Sequence, residues 1–540
     1  MKNLSKKISA ILCCALISSM MVSCSNSSSD NQENSNNDEV STSSTSDKTQ
    51  LNVATELMSD TLEPSCDWDS WYVMRWGIGE TLFKFNDDYS CEPWLAESCS
   101  VAEDNLTWTI KLKDNIKFSN GDDMTASKVV ASIERLYNLQ DPANGGDGNP
   151  QAYLTYSSIS ANDTDNTVTI VTDKPTPNFM GCFAYPWTMI IDVDASEGFD
   201  PTSESPVCTG PYVVTSFTQD NDIQLVKNTN YWDGDVPFET VNIMKVGESS
   251  TRSMALQDGS ADISINLSAT DRKSLENDSN YNISVVSGAR LGYAHVNMGG
   301  VLGNDALRQA VMCAIDGETI ADVTTNNSYT YGYSVVPSSL DYGYDQLTYD
   351  YSYNPDKAIQ LLDNANIIDT NGDGFRELDG NGTNVEITYY YNTSRQMDLI
   401  AQAQASQIES VGIKVNLQST DCNTDIMKSG NFDLVCSNEV TSPTGDPTDF
   451  LNHWYSKSTN NYSNYKNDEF DTIYEKLLVE FDNSAKRDDI IQLQQILLND
   501  TAVLTYGYYN FNVCSTNAIT GAYCPTSDFY WVTKDIKPNN

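Results

Sequence analysis

What most restricts the fold of this chain is a repeated change in the period of its apolar residues. Leu106, Trp108, Ile110 and Leu112 alternate with Thr107, Thr109 and Lys111, the two-residue period of a half-buried strand. Val168-Thr169-Ile170 and Val385-Glu386-Ile387-Thr388-Tyr389 read the same way. Elsewhere the spacing turns helical. Thr125 stands as N-cap to a helix with apolar face Val129, Val130, Ile133 and Leu136. Leu307, Ala310, Val311, Ala314 and Ile315 predict a second helix, and Phe470, Ile473, Tyr474, Leu477, Leu478 and Phe481 a third. Helices concentrate beyond residue 300. This irregular mixture predicts an α/β fold with large lobes, and 540 residues suffice for two or three domains.

The N-terminus carries an address. Lys2, Lys6 and Lys7 precede an apolar stretch from Ile8 to Val22, the pattern of an export signal. Met21-Val22-Ser23-Cys24 resembles the lipobox of bacterial lipoproteins, which predicts a signal peptide over 1–23 and a lipid (palmitate) on Cys24. Residues 25–49 are almost wholly polar and cannot bury a core, so 24–49 read as a flexible tether. Order is expected from about Leu51-Asn52-Val53-Ala54. Beyond the signal no stretch is long enough to span a bilayer. The lipid is the one expected membrane attachment, holding the chain on the outer face of a bacterial cell membrane.

The formal charge is −44, and export removes three further lysines. Such a surface repels nucleic acid, which is excluded as a partner. With Cys13, Cys14 and Cys24 set aside, ten of 13 cysteines remain, and no C-x-x-C occurs among them. They either pair, with Cys91 and Cys99 near enough in sequence, or pack as free thiols. Two histidines, His295 and His453, stand far apart in sequence, which disfavours histidine-based hydrolysis and nickel or haem binding. No acid–base pair for a carboxylate hydrolase can be nominated; an enzyme is not expected.

An ordered series of motifs then follows. Gly79-Glu80-Thr81-Leu82-Phe83 and Glu92-Pro93-Trp94-Leu95-Ala96-Glu97-Ser98 precede the Leu106 strand and Phe118-Ser119-Asn120-Gly121-Asp122. Thr209-Gly210-Pro211-Tyr212, Asn228-Thr229-Asn230-Tyr231-Trp232, Leu307-Arg308-Gln309-Ala310 and Ala314-Ile315-Asp316 come after. The series resembles the family 5 extracellular solute-binding proteins of ABC importers, which include oligopeptide-, dipeptide- and nickel-binding proteins. The resemblance implies a bilobal periplasmic-binding-protein-like fold (type II, cluster C) with an extra domain and a hinge. Lobe I would comprise 50–78, 200–290 and 518–540, the extra domain 79–199, and lobe II 291–517.

In peptide binders of this family the ligand pairs as an added strand with two protein segments. The first follows Leu62-Glu63-Pro64 and implies Trp68, Ser70 and Trp71 at the cleft. The second precedes Asp446-Pro447 and implies Glu439 to Thr444, Thr441 included. The family's ammonium-holding aspartate is replaced by Pro443. Glu439 or Asp446 is the expected substitute, since an ammonium needs a nearby carboxylate. The tyrosines at 329, 331, 333, 342, 344, 349, 351 and 353 favour an alternative, stacking of sugar rings.

Asp369, Asn371, Asp373 and Glu377, with Gly374 at the sixth position, match the first nine positions of a calcium loop. The twelfth is Gly380, not glutamate, so the segment reads as either a plain turn or a structural Ca²⁺ site. The expected function is capture of oligopeptides by a monomeric lipoprotein and delivery to an ABC permease and its ATPase. The alternatives are an oligosaccharide receptor and a peptide sensor.

Overall fold

Two long antiparallel strands, Tyr281–Val296 and Val503–Thr516, form the spine of the molecule in this computed structural model. The structure describes residues 48–378 and 382–539. The export signal, Cys24, most of the tether, Asp379 and Gly380 lie outside the described residues.

The long strands occupy the middle of an eleven-stranded sheet. Outward from Val503–Thr516 come Ile263–Ile265, Gln50–Thr55, Thr240–Lys245, Asp222–Lys227 and Tyr212–Thr218. Outward from Tyr281–Val296 come Leu434–Val440, Glu386–Tyr391 and Lys414–Ser419. Each flank contains parallel pairs: Gln50–Thr55 with Thr240–Lys245 and Ile263–Ile265, and Glu386–Tyr391 with Lys414–Ser419 and Leu434–Val440. Parallel strands need crossovers, usually helical. Ser249–Asp258 and Met397–Ser410 supply one on each flank.

Register between the long strands breaks where the flanks meet. Ser287 pairs with Asn510 and Leu291 with Tyr508, so four residues on one strand answer to two on the other. Two glycines permit the irregularity. Gly507 has φ +137°, and a Cβ there would lie 2.5 Å from the Thr330 carbonyl oxygen. At Gly292 a Cβ would lie 2.2 Å from the Tyr506 ring. The expected boundary at 290/291 falls inside this stretch. On the second strand Val513–Ser515 already pair with Ile263–Ile265, ahead of the expected boundary at 517/518.

A separate antiparallel sheet runs Ala96–Val101, Thr107–Leu112, Thr167–Thr172, Tyr156–Asn162. Trp108, Ile110 and Leu112 are buried as their alternation predicts. Thr125 does cap the helix Ala126–Gln140, its hydroxyl accepting from Lys128 N. Val129, Ile133 and Leu136 are buried there, each contributing about 1.5–3 kcal/mol; Val130 is half-buried. The helix Asp468–Leu477 stops short of Phe481, which stacks on Trp108 with ring centres 6.3 Å apart. Glu80 ties the start of the expected extra domain to the 200–290 segment. It is fully buried and accepts from Thr209 Oγ1 (2.9 Å), Tyr231 Oη (2.8 Å) and Trp232 Nε1 (2.7 Å). The ten described cysteines are all free thiols, so Cys91 and Cys99 are not paired.

Candidate functional site: a cleft between the sheet flanks

The helix Asp67–Arg75 builds one wall of the cleft. Trp68, Trp71, Tyr72 and Arg75 fall at i, i+3, i+4 and i+7, so all four share a face. Trp68 lies 5.3 Å from Tyr72, centre to centre, and is 37 % exposed. Trp71 is 8 % exposed and donates Nε1 to Tyr185 Oη at 3.1 Å. Arg75 sits between the Tyr72 ring (4.8 Å) and the Trp531 ring (4.3 Å). It donates Nε to the Asp528 carbonyl and pairs Nη2 with the Asp528 carboxylate at 2.5 Å. Ser70, expected at the cleft, is wholly buried instead. From this helix Trp68, Tyr72 and Arg75 line the cavity, whereas Ser70 and Trp71, also expected there, do not.

A cavity of about 280 Å³ opens here. Glu56, Asn266 and Tyr509 contribute from one sheet flank, and Thr393 to Arg395 from the other. Arg395 and Gln396 both have positive φ, 48° and 61°, unusual for non-glycine residues in succession. The Tyr329 hydroxyl donates to the Arg395 carbonyl at 3.0 Å and accepts from Asn438 Nδ2 at 3.0 Å. Arg290 Nη1 donates to the Asn438 carbonyl at 3.0 Å. Burial, followed by the charge of Arg395, pushes the Arg290 pKa down to about 10. Sequence reasoning missed both arginines. The available signal was scarcity: the chain has nine arginines against 75 acidic residues.

At the end of the second expected segment, Thr444 and Asp446 line another cavity, of about 420 Å³, together with Tyr342 and Lys486. Thr441 is fully buried, its N–H and hydroxyl both donating to the Ala289 carbonyl. Asp446 is buried and paired with Lys486 at 2.5 Å, so its carboxylate is already engaged. Glu439 accepts from Tyr293 Oη (2.9 Å) and Ser437 Oγ (2.7 Å). The two histidines, isolated in sequence, meet at this carboxylate, His295 Nε2 and His453 Nε2 each 3.8 Å from it. Burial alone would raise the Glu439 carboxyl, but the two imidazoles and the Ser437 hydroxyl hold it well below the usual range.

The expected tyrosine platform is largely spent on internal packing. Tyr333 stacks on Tyr349 at 5.4 Å and meets Tyr344 at 4.6 Å, while Tyr329 is buried. In the possible calcium loop, Asp369 accepts from the Gly372 and Gly374 amides, Asn371 from Asp373 N and Asp373 from Phe375 N. Glu377 is buried and accepts from Thr370. Among the described residues no set of three or more His, Cys, Asp and Glu side chains is arranged to hold a metal ion. No described helix is long and apolar enough to cross a membrane.

The chain is similar to known proteins. The probable D,D-dipeptide-binding periplasmic protein DdpA of Escherichia coli is 25 % identical over 444 residues, 79 % of this chain and 81 % of DdpA. The dipeptide-binding protein DppE of Bacillus subtilis is 25 % identical over 472 residues, 82 % of this chain and 83 % of DppE. The oligopeptide-binding protein AppA of B. subtilis, solved with a nonapeptide, superposes with TM-score 0.73 at 20 % identity, over 92 % of this chain and 100 % of AppA. These neighbours carry the bilobal fold that the sheet describes. The profile of bacterial extracellular solute-binding proteins, family 5, matches residues 90–462. The chain therefore belongs to family 5 of the bacterial extracellular solute-binding proteins, the substrate-binding rather than enzymatic components of ABC importers.

Proposed function

We propose that this chain captures short peptides between its two sheet flanks and hands them to an ABC permease and ATPase. In this reading a lipid on Cys24 keeps it at the outer face of the membrane. The observation that carries the proposal is the cavity shared by the two flanks beside the irregular crossing of the long strands. Hinge closure over a ligand at such a junction is the usual motion of binding proteins. The names of DdpA and DppE point to dipeptides, and AppA was solved with a peptide bound. Of the eight tyrosines behind the oligosaccharide alternative, Tyr333, Tyr344 and Tyr349 pack on one another. The 369–377 loop fits a self-capped turn, since its own amides occupy the side-chain oxygens.

Mass spectrometry of small molecules released from the protein purified from its host tests the reading. Mixed short peptides are the expected result; glycans would overturn it. Permease and ATPase genes beside this one would separate an importer from a sensor.

A further inference from the structure

A further cavity, of about 210 Å³, lies away from the cleft, between the start of the expected extra domain and lobe I. Asp87 and Trp94 line it from one side, Tyr231, Tyr523, Tyr530 and Asp535 from the other. None of its lining residues falls within 291–517, the expected lobe II, and none lines either cavity described above. It shares a wall with the 280 Å³ cavity. Trp531 lines that cavity and Val532 this one, and Val532 N donates to the Arg75 carbonyl at 2.8 Å.

The walls are aromatic, and the protein itself engages two of their hydroxyls. Tyr231 donates Oη to the buried Glu80 at 2.8 Å, and Tyr530 Oη accepts from Phe85 N at 3.0 Å. The Trp94 and Tyr530 rings meet edge to face, 5.6 Å apart at 89°, as two perpendicular walls. Tyr523 stands at the rim, 47 % exposed.

The charge around these rings is negative. Asp87, Asp233 and Asp535 line the cavity together with Lys84 and Lys534. Lys84 is held by Glu92 at 2.9 Å, outside the lining. Lys534 is shared between Asp233 at 3.6 Å and Asp535 at 3.5 Å. Asp87 makes no ion pair among the described residues. Three carboxylates thus share one ammonium, Lys534. Burial, then the carboxylates of Asp87 and Asp535, push the Tyr523 hydroxyl up, so both acids act on that ring. Glu80, deeper in the lining, already accepts three hydrogen bonds.

Ring faces beside carboxylates favour an organic cation. A metal ion of the calcium or magnesium kind takes oxygen ligands, which ring faces do not supply. The volume falls below the about 300–1,000 Å³ of drug-sized ligands, so the occupant is small. We propose that this cavity binds a small organic ammonium ion, seated against Trp94, Tyr530 and Tyr523 with its charge toward Asp87 and Asp535. The site is separate from the cleft and stands or falls independently of peptide capture.

The test is calorimetric titration and thermal shift of the purified chain with choline, ethanolamine and 3,3-dimethylbutan-1-ol, the neutral isostere of choline, with NaCl matching the ionic strength. At least one ammonium is expected to bind and to raise the melting temperature. It should bind about tenfold more tightly than the neutral isostere, the size of a partly desolvated cation–π contact. Asp87→Asn and Tyr523→Ala alter exposed side chains, so the ligand-free melting temperature should stay near that of the wild type. Each should weaken ammonium binding by about two- to fivefold, and the two together by about tenfold. Failure of both ammonium probes, equal binding of the neutral isostere, or unchanged binding in the double variant overturns the proposal.

Discussion

Tyr329 and Arg395, 66 residues apart, are joined by a hydrogen bond from the tyrosine hydroxyl to the arginine carbonyl. The same hydroxyl accepts from Asn438, so one buried oxygen fixes a cavity-lining loop to the sheet. Tyr329→Phe leaves a donor and an acceptor unpaired and should cost about 1–3 kcal/mol. Urea unfolding reads this directly; an unchanged midpoint would show that the bond carries no stability.

The crossing of the long strands should be intolerant of a side chain at Gly507. Its φ of +137° and the Thr330 oxygen 2.5 Å from an added Cβ both oppose alanine. Strain of that kind costs about 1–3 kcal/mol before any clash. Gly247→Ala, where a Cβ meets nothing within 4 Å, is the control and should leave the melting temperature nearly unchanged. Equal losses in the two variants would remove the argument for a glycine-dependent crossing.

The buried Asp446–Lys486 pair makes a sharper test. Lys486→Met strands a buried carboxylate and should cost about 3–5 kcal/mol. Adding Asp446→Asn should recover most of it. Burial works to raise the Asp446 pKa, but Lys486 lowers it below 3.8 overall. The pair's stability is thus present above pH 3.8 and lost as pH falls through the lower folded value. Denaturant melts of the wild type and of both variants between pH 2 and 7 measure this, the wild type alone showing the loss at the acid end.

Glu80 has the opposite sign. Burial raises its pKa from 4.5 to about 7, against the three hydrogen bonds from Trp232, Tyr231 and Thr209. The folded state holds this proton more tightly than the unfolded one, so stability falls as pH rises from 4.5 to 7 and levels off above. The contribution is about 3 kcal/mol. Glu80→Gln should remove that part of the pH slope; a variant with the wild-type slope would contradict the assignment.

The histidine pair is open to NMR, because a chain with two histidines gives two sets of imidazole signals. Burial lowers the His453 pKa below 6.5, partly countered by Glu439. Its midpoint should fall below 6.5, and Glu439→Gln should push it lower still. A midpoint that rises in the variant would place the carboxylate elsewhere.

Much of the scaffold was legible because it depends on local chemistry. Thr125 caps its helix, the Leu106–Leu112 alternation is a strand, and the spacing from Leu307 to Ala314 is a helix, each set by neighbours within one or two turns. The ordered motifs extended that reading to the family. The site was less legible. Ser70 and Trp68 are two residues apart, yet one is buried and the other lines the cavity, since a helix turns them to different faces. The resemblance implies Thr441 and Asp446 at the cleft, yet each has an internal partner, Ala289 and Lys486.

The sequence by itself determined the class: alternating periods specify strands and helices, and the motif order specifies the family. Only the tertiary structure decided which charges are spent and which are free. His295 and His453 meet because adjoining elements place them at Glu439. Arg290 and Arg395, 105 positions apart by their numbers, converge because the chain crosses between sheet flanks and returns. Periodicity is carried by neighbours in sequence, whereas a charge is neutralised by neighbours in space, and those are fixed only when the sheet closes its order.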